Sequence, residues 1–181
     1  MKANGEGFMK LIKCSRSHIH AVTEVYHSTI RHLEENINYP RWSPEHPSDQ
    51  SIAEAVESGV QYLCIKDGEP LGAVVLSEAP EGYYQAGEWS RELTEGEYLV
   101  IHALAVHPSF EHKGVGTFMV EQCVALARQR GYRAVRLDVV PGNLPAERLY
   151  KKLGFTYAGT KDLRRNIDGI PAFDLFERNI E

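Results

Sequence analysis

Apolar positions along this chain follow two rhythms. Phe8 to Cys14 is a short apolar run that reads as a strand. From Ser17 onward, Ile19, Val22, Val25, Tyr26 and Ile30 recur at spacings of three and four, which predicts an amphipathic helix. That helix fades before Tyr39-Pro40, because a residue preceding proline avoids helical backbone. Asn38 to Asp49, with Pro40, Pro44 and Pro47, reads as a loop, and Ser51 to Ser58 as a short helix ending at Gly59. The rhythm then changes to alternation. Val60 to Ile65 and Leu71 to Leu76 read as strands joined by Lys66-Asp67-Gly68-Glu69-Pro70, and the Asp-Gly pair marks a hairpin. Ser77 to Gly96 reads as a long polar and aromatic loop, of the kind that more often serves function than linkage.

The second half is more regular. Glu97 to Val106 is the longest predicted strand. Gly114 to Arg130 is the strongest helix: Val115, Phe118, Met119, Cys123, Leu126 and Ala127 share one face, Arg128 and Arg130 suit its negative end, and Gly131 stops it. Ala134 to Val140 reads as a strand, Leu144 to Leu153 as a helix closed by Gly154, and Phe155 to Thr160 and Pro171 to Arg178 as strands. This order predicts one α/β (α+β) domain over residues 1–181, with a mixed sheet of about seven strands flanked by about four helices and a parallel pairing across the long helix. Met1 to Gly7 reads as a loose leader.

Composition narrows the function. The 181 residues are 43% hydrophobic and 25% charged, with net charge −5. A chain of this size buries about 70% of its unfolded surface and needs no disulfide or metal staple. The negative charge argues against a nucleic-acid binder that works by phosphate neutralisation and is compatible with an amine substrate. The longest apolar stretch, Tyr98 to Val106, is broken by His102 and falls short of the roughly 18 residues of a membrane span. Met1 to Lys13 shows no signal-peptide pattern. Cys14, Cys64 and Cys123 lack metal spacing and suit a reducing cytosol, so a cytoplasmic location is expected.

The candidate chemistry lies where the long strand meets the long helix, in Val106-His-Pro-Ser-Phe-Glu-His-Lys-Gly-Val-Gly-Thr117. A glycine-containing loop entering a helix offers free backbone N–H groups and a positive dipole end, which is an anion site suited to phosphates. It is not a P-loop, since Thr-Phe follows Gly116, and it lacks the third glycine of a dinucleotide fingerprint, where Met119 stands. Downstream come Asp138-Val-Val-Pro-Gly-Asn143 and Ala146-Glu-Arg-Leu-Tyr150-Lys-Lys-Leu-Gly-Phe155.

Leu104-Ala-Val-His-Pro, Lys113-Gly-Val-Gly, Asn143, Ala146 and Tyr150-x-x-x-Gly-Phe, in that order, resemble the GCN5-related N-acetyltransferase (GNAT) superfamily, closely so over Glu97 to Tyr157. The resemblance implies acetyl-CoA bound between two splayed parallel strands, Glu97–Val106 and Ala134–Val140. It implies a pantetheine arm paired with the backbone of Leu104, Ala105 and Val106, and a pyrophosphate on N–H groups of His112, Lys113, Gly114, Val115, Gly116 and Thr117. Asn143 and the neighbouring Ala146 would meet the pantetheine arm, and Tyr150 would protonate the leaving thiolate. The family loop usually opens with Gln or Arg, and this chain has Glu111 there, which implies weaker phosphate contact unless the carboxylate turns outward.

An amine attacking a thioester needs a base, and three candidates stand: His102 in the middle of the long strand, Glu97 at its entrance, or water. A polar residue inside a strand needs a partner or a job, and histidine is the side chain that titrates nearest neutral pH. A backbone N–H at Val106 could serve the developing oxyanion. His102, His107 and His112 match no zinc spacing, so no metal is expected. Tyr39 and Trp42 in the loop between the first helices, and Tyr83, Tyr84 and Trp89 before the central strand, are candidates for an acceptor pocket. The expected partner is a small-molecule or peptide amine, with no nucleic acid or membrane and with a homodimer left open. The reading is therefore an acetyl-CoA-dependent N-acetyltransferase acting on a small-molecule primary amine. Its rivals are a protein N-terminal or lysine acetyltransferase, a non-catalytic acyl-CoA-binding module, and a nucleotide-binding protein.

Overall fold

A computed structural model describes residues 7–181; apart from Gly7, the leader expected over Met1 to Gly7 lies outside them. The chain runs β1 (Lys10–Lys13), α1 (Ile19–Glu35), α2 (Asp49–Glu57), β2 (Gln61–Lys66), β3 (Glu69–Ser77), β4 (Tyr98–Val106), α3 (Val115–Gln129), β5 (Ala134–Val139), α4 (Leu144–Lys152), β6 (Thr156–Lys161) and β7 (Phe173–Asn179). Boundaries shift where local chemistry intervenes. α2 starts two residues early because the Ser48 hydroxyl accepts the Ser51 N–H at 3.1 Å. The hairpin turn is shorter than the sequence suggests. Asp67 and Gly68 both take positive φ, the twist a two-residue turn needs, so pairing extends to Lys66↔Glu69.

The strands form one sheet in the order β1-β2-β3-β4-β5-β7-β6, antiparallel except for β4 against β5. Each face carries its own core. Leu99, Ile101, Val135, Leu137 and Val139 pack against Met119, Val120 and Cys123 of α3 and Tyr150 of α4. On the other face, Leu63, Ala73 and Ala105 pack against Val22, Val25 and Tyr26 of α1 and Ile52 and Val56 of α2. Beside them, Tyr84 and Leu163 cover Val100, Ala134 and Leu175.

The parallel pairing is short. It runs from Tyr98↔Ala134 to Ile101↔Leu137 and stops there. The cause is visible in β4. Its register against β3 slips between His102↔Val75 and Ala105↔Ala73, an extra residue on β4, and Ala103 sits at φ 45°. Such a bulge bends its strand and re-aims the residues beyond it. β5 meanwhile continues straight along β7, Asp138↔Leu175 and Val139↔Asp174. The two parallel strands therefore part, and among the described residues the β4 edge from Ala103 to Val106 has no strand on its β5 side.

Candidate active site

Helix α1 holds the bulge in shape. The Tyr26 hydroxyl donates to the Ala103 carbonyl at 2.8 Å and accepts from Gln61 Nε2 at 3.2 Å. The Thr29 hydroxyl reaches the Val106 carbonyl at 3.2 Å while also bonding Val25 O. Carbonyls that a regular ladder would use are thus taken by side chains, and the strand can stay parted without orphaned polar groups.

Beyond Val106 the chain enters a tight loop and then α3. His112 and Gly114 both have positive φ, 59° and 79°, and Gly114 caps the helix. Left-handed residues set into such a loop are the backbone signature of an anion-binding nest. The first intrahelical bond across the cap is Phe118 N–H to Gly114 O. Among the described residues, the N–H groups from His112 to Thr117 have no acceptor. A Cβ on Gly114 would meet nothing within 4 Å. Glu111, the departure from the family loop, turns toward α1, where its Oε2 lies 3.6 Å from His32 Nε2.

Asn143 caps α4 at the end of β5, its Oδ1 accepting the Ala146 N–H at 3.3 Å. The amide Nδ2 has no partner among the described residues. Tyr150 is 6% exposed and packs edge-on against Phe155 at 5.5 Å. Its hydroxyl makes no hydrogen bond among the described residues. Burial, then the nearby Cys123 and Asp138, push its pKa well above that of a free phenol, so it keeps its proton.

Tyr150 stands on the α3–α4 face. Alternation places His102 on the opposite face, with Tyr98 and Val100. His102 is half-exposed, and its Nε2 lies 3.3 Å from the Ala79 carbonyl. A proton on Nε2 makes that bond and leaves the lone pair on Nδ1. The two side chains thus flank the splayed strands from opposite sides.

The structure separates Glu97 from this centre. It lies before β4 begins, at the opposite end from the splay, and its carboxylate accepts from Thr94 N–H at 2.8 Å, Thr94 Oγ1 at 2.9 Å and Arg133 Nη1 at 2.9 Å. These bonds, the Thr94 backbone first, hold its pKa down to about 2. A group ionised at that pH is a poor base near neutrality. Its stabilising effect is present above the ordinary carboxylate range and is lost as pH falls toward 2.

The loop aromatics are also distributed differently from the expectation. Tyr84 is 1% exposed, and its hydroxyl donates to Asp138 at 2.5 Å. Trp89 stacks on Tyr84, donates its Nε1–H to Tyr84 O, and lies 4.2 Å from the Arg136 guanidinium. Both border a cavity of about 370 Å³ with Tyr98 and Arg136. That cavity is at the paired end of β4 and β5, so it is no part of the splay. Tyr83, 40% exposed, lies under the Arg164 guanidinium. Trp42 packs edge-on against Tyr26 at 5.9 Å, with its backbone clamped by Asn38 at both N–H and carbonyl. Tyr39 is half-exposed in the same loop.

Sequence reasoning missed Asp138. It is the first residue beyond the parallel pairing, on the His102 face, and it is bound by Tyr84 from one loop and by Arg165 Nη1 and Nη2 from another, at 2.9 and 2.6 Å. The available signal was a carboxylate in the strand Ala134-Val-Arg-Leu-Asp-Val139, on the face it shares with Arg136.

Among the described residues, the mixed sheet has one parallel pair, which splays beside a helix N-terminus, the arrangement of the acyl-transfer fold to which the sequence motifs point. The model of the acetyltransferase (GNAT) family matches residues 27–155, and the chain belongs to that family. It is similar to an uncharacterized N-acetyltransferase of Methanocaldococcus jannaschii, 31% identical over 52% of this chain and 38% of that one. It is also similar to the aminoglycoside N(6')-acetyltransferase type 1 of Klebsiella pneumoniae, 32% identical over 59% of this chain and 52% of that one. The chain thus spans about half or less of the curated relatives it matches. A GNAT-family acetyltransferase of Listeria monocytogenes 4b F2365 shares the fold at TM-score 0.76 and 17% identity, covering 99% of each chain. So does yncA of Salmonella typhimurium, solved with its cofactor acetyl-CoA, at TM-score 0.69 and 15% identity, covering 96% of this chain and 95% of that one. No helix among the described residues is long and apolar enough to cross a membrane.

Proposed function

We propose that this chain is an acetyl-CoA-dependent N-acetyltransferase that moves the acetyl group directly to a primary amine of a small molecule. The observation that carries the reading is the run of unpartnered N–H groups from His112 to Thr117, set at the end of the strand whose edge is left open. Together they fit an elongated thioester with a phosphate-bearing end. Phosphates belong on the N–H groups of His112, Lys113, Gly114, Val115, Gly116 and Thr117. The amide-rich arm belongs along the β5-facing edge of Leu104, Ala105 and Val106, with Asn143 Nδ2 as a further donor and the small Ala146 leaving room beside it. Acetyl-CoA supplies the activated acetyl group when bound.

The chain's own groups then have distinct tasks. The Val106 N–H stabilises negative charge on the carbonyl oxygen of the reacting centre. His102 takes the proton from the amine through Nδ1 on one face of the sheet. Tyr150 gives a proton to the departing sulfur on the other. The aminoglycoside and streptothricin acetyltransferases among the relatives support a small-molecule amine as acceptor. Cys14, Cys64 and Cys123 are free and buried, which suits a reducing cytoplasm.

The proton roles are tested by kcat/KM against pH for wild type, His102→Gln and Glu97→Gln. His102→Gln is expected to flatten the acidic limb and lower the plateau by about 100-fold, within the usual range for a general base. Glu97→Gln is expected to keep the limb, since this carboxylate is ionised down to about pH 2. An unchanged limb in His102→Gln would hand the proton to water. The function itself is tested by thiol release from acetyl-CoA against amines, polyamines, amino acids, aminoglycosides and peptides. Release with peptides alone would point to a protein acetyltransferase.

A further inference from the structure

Past the splay, at the end of β5, a cavity of about 150 Å³ opens between the α1–α2 loop and the β6–β7 loop. Its walls are apolar, with Val140, Pro141, Ile170 and Pro171 among them, and Arg41 is the one charged residue in its lining. Arg41 holds a positive φ of 54°, a conformation that side chains other than glycine adopt at a cost. Its Nη1 donates to the Gly169 carbonyl, which ties the two loops together. Its other N–H donors have no acceptor among the described residues. Arg41 is exposed, and a guanidinium with spare donors at the rim of an apolar cavity is suited to a carboxylate, which it can hold with two parallel charge-assisted bonds.

Asp138 points the same way. It is a partly buried carboxylate on the His102 face, and Arg165 already neutralises it with two hydrogen bonds while Tyr84 takes a third. A polycationic amine would therefore find its natural counter-ion occupied and Arg41 repelling it. The cavity is smaller than the roughly 300 Å³ at which whole-ligand pockets begin, so it suits one end of a small molecule.

We infer that the acceptor is a small amine that also carries an anion, of the amino-acid class, with its carboxylate on Arg41 and its amine toward the splayed strands. This rests on the acetyl-transfer reading.

The test compares kcat/KM for amino acids and their matched carboxamides with saturating acetyl-CoA, alongside a polyamine and an aminoglycoside. The carboxamide has the less basic amine, so easier deprotonation favours it and cannot explain a preference for the acid. The wild type is expected to prefer the carboxylate by about 10- to 100-fold, the worth of a charge-assisted contact, and Arg41→Gln to abolish that preference. Arg41→Lys should retain part of it. Because Arg41 also ties two loops, the ratio between matched substrates is the readout, and a purely structural role would not move it. A ratio unchanged in Arg41→Gln, or turnover of cationic amines in preference, would overturn the inference and leave acetyl transfer standing. Acetyl-CoA binding without thiol release for any amine would overturn both.

Discussion

Gly116→Val is expected to weaken acetyl-CoA binding by about 100-fold or more while the protein stays folded, the loss of two or so charge-assisted hydrogen bonds. The site separates binding from folding at this position. A Cβ on Gly116 would lie 3.5 Å from Leu149 Cδ2 and 3.6 Å from Val106 Cγ2, which is ordinary van der Waals contact, and the residue is not among those with positive φ. The free protein therefore has room for the first carbon. The methyls beyond it add bulk beside Val106 and Leu149 at the helix start, where the phosphate end is proposed to sit. Gly114 makes a poorer test, since its φ of 79° strains any other residue whether or not a ligand binds. Calorimetry on folded Gly116→Val with unchanged affinity would remove the nest from the binding site.

Tyr150→Phe is expected to lower kcat by about 10- to 1,000-fold, the span of general-acid contributions, with acetyl-CoA affinity within about threefold of wild type. The ring's packing against Phe155 survives the change. The hydroxyl has no partner to orphan among the described residues, so stability should change little. Burial holds the phenol protonated well past its ordinary range, so the wild type should lose no activity to its ionisation below about pH 10. A kcat within about twofold of wild type would make Tyr150 a packing residue.

The helices and most strands were legible because their apolar residues keep a single period. β4 was legible as a strand but not as a bulged one. Tyr98-Leu-Val-Ile-His-Ala-Leu-Ala-Val106 is apolar nearly throughout, so nothing in it marks where the face switches between Ile101 and Leu104. The insertion of β7 between β5 and β6 was likewise hidden, because sheet order depends on pairing across distance. The loop and helix start of the site carry their chemistry in backbone N–H groups, which glycine spacing betrays. Side-chain roles were harder to read. Glu97 reads as a candidate base, but Arg133 and Thr94 hold it ionised, and Tyr84 reads as an acceptor-pocket aromatic, but its hydroxyl is bound to Asp138. In each case the deciding partner is far away in sequence or in a loop of no regular period.

The central claim is direct transfer from acetyl-CoA to an amine, and mass balance tests it. Purified protein is mixed with acetyl-CoA, with and without the best amine of the panel, and free thiol and acetylated amine are quantified by mass spectrometry. The account predicts no thiol above background without amine, and one thiol released per amine acetylated when it is present. Acetyl-CoA bound with no thiol released for any amine, or thiol released without acetylated amine, would contradict it.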